Sequence, residues 1–133
     1  MTPGVMKTLV PMSILVAAAV SADSPLVAYT VVDATATPAP LVEGAADPDR
    51  GGVLMLGAGC SACHQKDLNS ISDRLSDGEI RLMIVAPEIR VPETTMPAYY
   101  IVGEYGDAPD DLVGRTRLSA PDIEAIIAYL KTI

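Results

Sequence analysis

The sequence predicts a small all-α domain with long loops, preceded by an extended N-terminal arm. Three observations carry that reading. Two segments join a serine N-cap and a capping-box carboxylate to apolar residues at helical spacing. No stretch shows the clean apolar–polar alternation of a half-buried strand. The 133 residues contain five Tyr but no Phe and no Trp, so the large rings that usually fill a small core are scarce. The length suits one domain.

The first 22 residues carry a single charge, Lys7, followed by an apolar run from Leu9 to Val20 and then Ser21-Ala22. That is the layout of a secretory signal peptide: a short basic start, an apolar stretch and a small-residue cleavage site. The run is shorter than the roughly 20 apolar residues a bilayer span requires. Residues 1–22 are therefore expected to be a signal peptide, the alternative being an uncleaved N-terminal anchor. Cleavage near Ala22 leaves a chain that starts at Asp23. Loss of Lys7 then makes the net charge of −8 one unit more negative. No later apolar stretch approaches span length, so an exported protein without membrane association after cleavage is expected. A pI near 4.4 argues against a nucleic-acid partner, which calls for a basic patch or stripe.

Residues 23–46 contain Pro25, Pro38 and Pro40 and lack helical period. They read as an arm draped over the domain or over a partner, with Leu26 to Val32 able to pair as a strand. The domain spans 47–133. Asp47-Pro48 places an N-cap before a proline at the first helical position, which opens a short helix over residues 48–59. Ser76-Asp77-Gly78-Glu79 is a capping box; Ile80, Met83 and Ile84 follow on one face, and Pro87 stops the helix. Ser119-Ala120-Pro121-Asp122 opens the last helix, with Ile123, Ile126, Ile127 and Leu130 forming a full apolar stripe.

The chemistry sits at Cys60-Ser61-Ala62-Cys63-His64. Cys-x-x-Cys-His is the pattern of covalent c-type haem attachment: two thiols reach the two vinyl groups of one porphyrin edge, and the next residue brings an imidazole to the iron. A redox disulfide needs no adjacent histidine. A structural zinc site needs four ligands, and the chain has two cysteines and one histidine in all. A structural disulfide closing so short a loop stabilises little. The pattern therefore predicts one covalent haem c on Cys60 and Cys63, with His64 as an axial ligand. Such a macrocycle also supplies the bulk that the missing rings do not.

His64 is the only histidine, so the second axial position requires another donor. Met55 lies five residues before Cys60, on the attachment side. Met83 belongs to an apolar stripe, where methionine usually fills core. Met96 lies in the proline-fixed loop Pro92-Glu93-Thr94-Thr95-Met96-Pro97, positioned to cross the opposite face, and is the expected axial ligand; a loop residue touching the haem edge without coordination is the alternative. Arg74, Arg81 and Arg90 are either propionate partners or, as favoured here, solvated charges. Tyr99 and Tyr100 either bond a propionate or form an apolar rim at an exposed haem edge. Glu104, Asp107, Asp110 and Asp111 read as a solvated loop, since no calcium-loop spacing is present.

The Cys-x-x-Cys-His segment, the Met-Pro loop and the ending Ile126-Ile127-Ala128-Tyr129-Leu130 resemble a class I cytochrome c. Gly52 and Leu56 stand where that family places the small residue and the ring-packing residue of its N-terminal helix, which crosses the C-terminal one, here near Ile126 and Tyr129. The chain more specifically resembles the SoxX family, mono-haem subunits of thiosulfate-oxidising complexes. The matching stretches are Val31-Val32-Asp33, Pro40-Leu41, Asp47-Pro48-Asp49-Arg50-Gly51, Glu93-Thr94-Thr95-Met96-Pro97-Ala98-Tyr99-Tyr100 and Leu118-Ser119-Ala120 with the helix that follows. Family members usually carry a longer loop after the haem histidine, with a Gly-Pro element whose carbonyl orients the imidazole. Here only residues 65–70 separate His64 from Ile71-Ser72-Asp73-Arg74-Leu75, so the proximal face is expected to be more exposed, or covered by a partner or by the arm.

The resemblance implies a periplasmic electron-transfer subunit, not an enzyme by itself, in a heterodimer with a SoxA-like cytochrome. Such a complex acts as an L-cysteine S-thiosulfotransferase: thiosulfate is joined oxidatively to a cysteine of the carrier pair SoxYZ, which this subunit meets only indirectly. Residues 97–102 and 31–41 are the candidate contacts with the SoxA-like partner. The alternative function is a free mono-haem shuttle delivering electrons to a terminal oxidase.

Overall fold

A computed structural model describes residues 26–100 and 116–133. The expected signal peptide and the acidic stretch from Glu104 to Asp111 lie outside the described residues. Helix α1 spans Pro48–Gly57; the Asp47 carboxylate accepts hydrogen bonds from the Asp49 and Arg50 backbone N–H groups, satisfying donors that the first turn leaves orphaned. Helix α2 is the single turn Cys60–Cys63. It is separated from α1 by Ala58 and Gly59, and the Gly59 φ of 76° lies in the left-handed region that glycine tolerates without a side-chain clash.

Helix α3 spans Asp77–Val85 and carries the expected capping box: Ser76 Oγ accepts from the Glu79 N–H and the Glu79 carboxylate accepts from the Ser76 N–H. Those bonds, with Arg90 nearby, hold the Glu79 carboxyl below the usual carboxylate range. Pro87 does more than stop α3. The residue before it, Ala86, leaves the helical region at φ −152° and ψ 73°, as crowding by the proline ring disfavours helix there, and Pro87 then opens the short helix α4, Pro87–Arg90. Helix α5, Ala120–Leu130, starts from a second reciprocal box between Ser119 and Asp122.

The core is mostly aliphatic, with Tyr99 and Tyr100 its two rings. Ile80, Leu82, Ile84 and Val85 of α3 pack with Leu118 and with Ile123, Ile126, Ile127 and Leu130 of α5. Helix α1 crosses α5 at Gly51, where an added Cβ would lie 1.9 Å from the Ala125 carbonyl oxygen and 2.8 Å from the Tyr129 Cβ. Gly52, the expected small residue, lies one position further on, against the Tyr129 ring. Leu56, the expected ring-packing residue, is not part of the aliphatic cluster. It is 73% exposed and shares the outer side of α1 with Val53, 70% exposed, because the close approach at Gly51 turns Leu54, Met55 and Ala58 to the core instead.

No strand forms among the described residues. In place of the expected strand from Leu26 to Val32 there is one antiparallel bridge, Val32 with Ala36, closed by a turn in which Asp33 and Ala34 have φ of 52° and 56°. The Val27 N–H donates to the Tyr100 hydroxyl at 2.8 Å, so a side chain takes a bond that a ladder would have used.

The arm is locked to the domain by a buried ion pair. Arg81 is 2% exposed and Glu124 7%. Arg81 Nε and Nη2 donate to the two Glu124 oxygens at 2.6 and 3.0 Å, and Nη1 donates to the Thr37 and Pro38 carbonyls at 2.8 and 3.2 Å. Glu124 Oε1 also accepts from the Leu41 N–H at 2.9 Å. Arg81 is thus neither a propionate partner nor a solvated charge; the planar guanidinium joins arm, α3 and α5 at one point. Arg90 keeps the surface reading, paired with Glu79 at 3.2 Å and donating to the Thr35 carbonyl. Arg81→Met, which strands the Glu124 carboxylate, should destabilise the domain by about 3–5 kcal/mol. Arg81→Met with Glu124→Leu should recover most of that loss, both read from urea unfolding midpoints.

Candidate functional site

The close crossing of α1 on α5 places the end of α1, and with it the Cys60–Cys63 turn, against the body of the domain. Both cysteines are free thiols; Cys60 is half-buried and Cys63 exposed. Tyr99 closes the buried side. Its hydroxyl donates to the Ala58 carbonyl at 3.3 Å and hydrogen-bonds with Cys60. Burial pushes the Cys60 thiol pKa up, partly relieved by that bond and a backbone one. Burial first, and the neighbouring Cys60 second, push the Tyr99 phenol up.

His64 caps α2. Its N–H donates to the Cys60 carbonyl at 2.8 Å while its own backbone turns extended, at φ −103° and ψ 107°, so the chain leaves the helical turn at the imidazole. His64 Nδ1 lies 3.1 Å from Asp67 Oδ2. The same bond, foremost, holds the Asp67 carboxyl below the usual carboxylate range. Asp67 was not singled out from the sequence; a carboxylate three residues after the histidine was its only signal. The segment bearing it is short but organised. Arg74 Nη2 donates to the Asp67 carbonyl at 2.9 Å, Asn69 N–H to Lys66, Ile71 N–H to Leu68, and Ser70 N–H to the Ile133 carbonyl at 2.9 Å. Leu68, Ile71 and Leu75 pack against the core. The His64 side chain is 30% exposed, so the chain's own loop supplies part of its cover.

Met96 is half-buried against the core, its N–H donating to Thr94 Oγ1 at 3.1 Å. Met55 and Met83 are also half-buried, so burial does not separate the three thioethers. Met96 lies three residues before Tyr99, whose hydroxyl reaches Ala58, two residues before Cys60, while Met55 lies on α1 and Met83 on α3. The loop of Met96 and the Cys60–Cys63 turn are thereby anchored together. Tyr99 and Tyr100 are themselves buried, at 8% and 5% exposure. Their phenols bond Ala58 and the arm, and their N–H groups donate to Ile84 and Val85, carbonyls at the end of α3. Neither forms a surface rim; pairing these N–H groups with α3 draws both rings inward. Arg74 spends a donor on Asp67 and stays exposed.

A covalent haem asks for two free thiols on one turn, an imidazole nitrogen available to iron and a further soft donor. Cys60 and Cys63 meet the first demand. Asp67 takes Nδ1 of His64, which leaves Nε2 for iron, and Met96 offers a thioether. The residues fit the group. Among the described residues no set of three or more His, Cys, Asp or Glu side chains is gathered to bind a metal ion.

The architecture is that of a small all-α, cytochrome c-like domain. It is similar to a chain in the crystal structure of SoxXA from P. pantotrophus, with a TM-score of 0.64 and 27% sequence identity, over 80% of this chain and 93% of that one. The chain has a SoxX-like fold. No protein-family profile and no curated protein sequence matches it. No helix among the described residues is long and apolar enough to cross a membrane.

The unequal setting of the two thiols has a direct readout. In polypeptide produced without haem attachment, Cys63 should be alkylated by iodoacetamide before Cys60, as followed by peptide mass spectrometry, because burial both shields the Cys60 thiol and raises its pKa while Cys63 is exposed.

Proposed function

We propose that this protein is a periplasmic mono-haem c-type cytochrome subunit that accepts electrons from a SoxA-like partner cytochrome during thiosulfate oxidation. The observation that carries the reading is the constellation of Cys60, Cys63 and His64 on one capped turn inside a SoxX-like fold. In this reading residues 1–22 direct export, residues 23–46 are the arm and residues 47–133 the cytochrome domain. Cys60 and Cys63 hold one haem c, and His64 and Met96 are its axial ligands. The bound group supplies reversible one-electron transfer, at a potential raised by a thioether ligand. The chain contributes attachment, ligand orientation and a rigid cover in which Tyr99 closes the Cys60 side. The catalytic step on thiosulfate, and its transfer to a SoxYZ-like carrier, belong to the partner; this chain's part is redox.

Protein made with a c-type maturation system should gain the mass of one haem, resistant to acid acetone, and Cys60→Ser with Cys63→Ser should abolish the gain. The ferric protein should show the weak red-edge charge-transfer band of methionine–iron bonding, absent in Met96→Ala together with a lowered potential. Loss of the band in Met83→Ala, with retention in Met96→Ala, would move the ligand to Met83.

Partner binding is tested on a sizing column with a SoxA-like cytochrome: co-elution at 1:1 is expected and should survive moderate salt, since charge alone would repel an acidic partner and binding then rests on local contacts, which salt screens little. Separate peaks at micromolar concentration, with intact spectra, favour a free shuttle. The arm bears on how this is done. Thr37 and Leu41 are core residues held through Arg81 and Glu124, so truncating residues 23–41 tests folding before it tests the partner.

A further inference from the structure

We propose that Asp67 is the positioning residue for His64: its carboxylate holds the imidazole through Nδ1 and strengthens Nε2 as a donor to iron, setting the reduction potential of the site below what a neutral partner gives. This rests on the haem reading above and goes beyond it.

The geometry is direct. Asp67 Oδ2 lies 3.1 Å from His64 Nδ1. A histidine that binds a metal through one nitrogen presents N–H at the other, and the acceptor of that proton fixes the ring's tautomer and orientation. A carboxylate is the strongest ordinary acceptor for it, because the hydrogen bond is assisted by a full charge. The interaction is also supported from behind. An aspartate has a short side chain, so its carboxylate goes where its backbone goes. That backbone is held by the Arg74 guanidinium on the Asp67 carbonyl at 2.9 Å, and the loop beyond it by the bond from Ser70 to the Ile133 carbonyl. Arg74 thus holds the peptide through its carbonyl, leaving Oδ2 to His64.

Electrons follow from the same contact. A negative charge against the Nδ1 proton gives the ring part of the character of an imidazolate, and a more basic donor favours the ferric over the ferrous state. Asp67 is 63% exposed, which screens its effect, whereas His64 is largely covered. Asp67 therefore opposes the thioether of Met96, and the potential of the site reflects both.

The test compares holoprotein of the wild type, Asp67→Asn and Asp73→Asn by spectroelectrochemical titration. Asp73 is an exposed carboxylate in the helical turn Ile71–Asp73 that follows the loop and controls for loss of charge at the surface. Asp67→Asn should raise the ferrous-to-ferric ratio at fixed potential by about tenfold, equal to about 59 mV for one electron. It should keep the methionine–iron band, and Asp73→Asn should shift the midpoint far less. Asp67→Glu should restore part of the wild-type value. If the Asn variant does not accumulate, Asp67→Ser removes the same charge and should shift the midpoint in the same direction. Equal midpoints for the Asp67 and Asp73 variants, with haem and band intact, overturn the role of Asp67 alone. Absence of covalent haem from the wild type overturns the haem reading and this inference with it.

Discussion

At Gly51 the backbone of α1 runs directly against the Ala125 carbonyl of α5, with no space for even one β-carbon. Much of the described structure is arranged around that contact. It brings Gly52 under the Tyr129 ring, turns Leu54, Met55 and Ala58 toward the core, and leaves Val53 and Leu56 outside. Because Gly59 and the Cys60–Cys63 turn follow within a few residues, a crossing between the first and last helices is what locates the two thiols and His64. A larger residue at position 51 would push the helices apart and carry the two thiols with them.

The second constraint is a charge held where water is excluded. Arg81 and Glu124 satisfy each other's bidentate geometry, and their remaining capacity goes to the Thr37 and Pro38 carbonyls and to the Leu41 N–H. Complete satisfaction is what makes such a pair tolerable in a low-dielectric interior. The pairs Arg50–Asp122, Arg90–Glu79 and Lys131–Asp77 are more open to solvent and contribute little individually. The buried pair converts a proline-rich arm without helical period into part of the domain's packing. The bland expectation for an arginine on a helix, a solvated charge, fails here because α5 presents a carboxylate opposite it.

Tyr99 and Tyr100 connect these two constraints to the site. Their N–H groups take up carbonyls at the C-terminal end of α3, one phenol reaches Ala58 beside the Cys60–Cys63 turn, and the other reaches Val27 in the arm. A single dipeptide therefore closes a helix, braces Cys60 and holds the arm, while Met96 lies three residues upstream. The rings that the composition led one to miss are few, but two of them are placed where a phenol can both fill volume and satisfy a buried carbonyl or N–H.

Local chemistry was legible in the sequence because it depends on residues close together in the chain. The caps at Asp47, Ser76 and Ser119, the apolar stripe of α5 and the cluster Cys60, Cys63 and His64 all involve spacings of a few positions, for which geometry follows from the backbone alone. Even the departure from the resembled family, the short segment after His64, could be read directly. What joins distant positions could not. That Gly51 rather than Gly52 makes the backbone contact, that Glu124 answers Arg81 across 43 residues, that two loop tyrosines turn inward, and that among the described residues Val32 forms only one bridge, with Ala36, are outcomes of packing. The identity of the residue beside His64 lies between the two: Asp67 is only three positions away, but whether its carboxylate turns to the imidazole depends on Arg74 and the C-terminal carbonyl of Ile133 holding the loop. Sequence determined which groups were available to the site, and tertiary structure decided which of them meet, because hydrogen bonds and close contacts between remote segments exist only once the helices have docked.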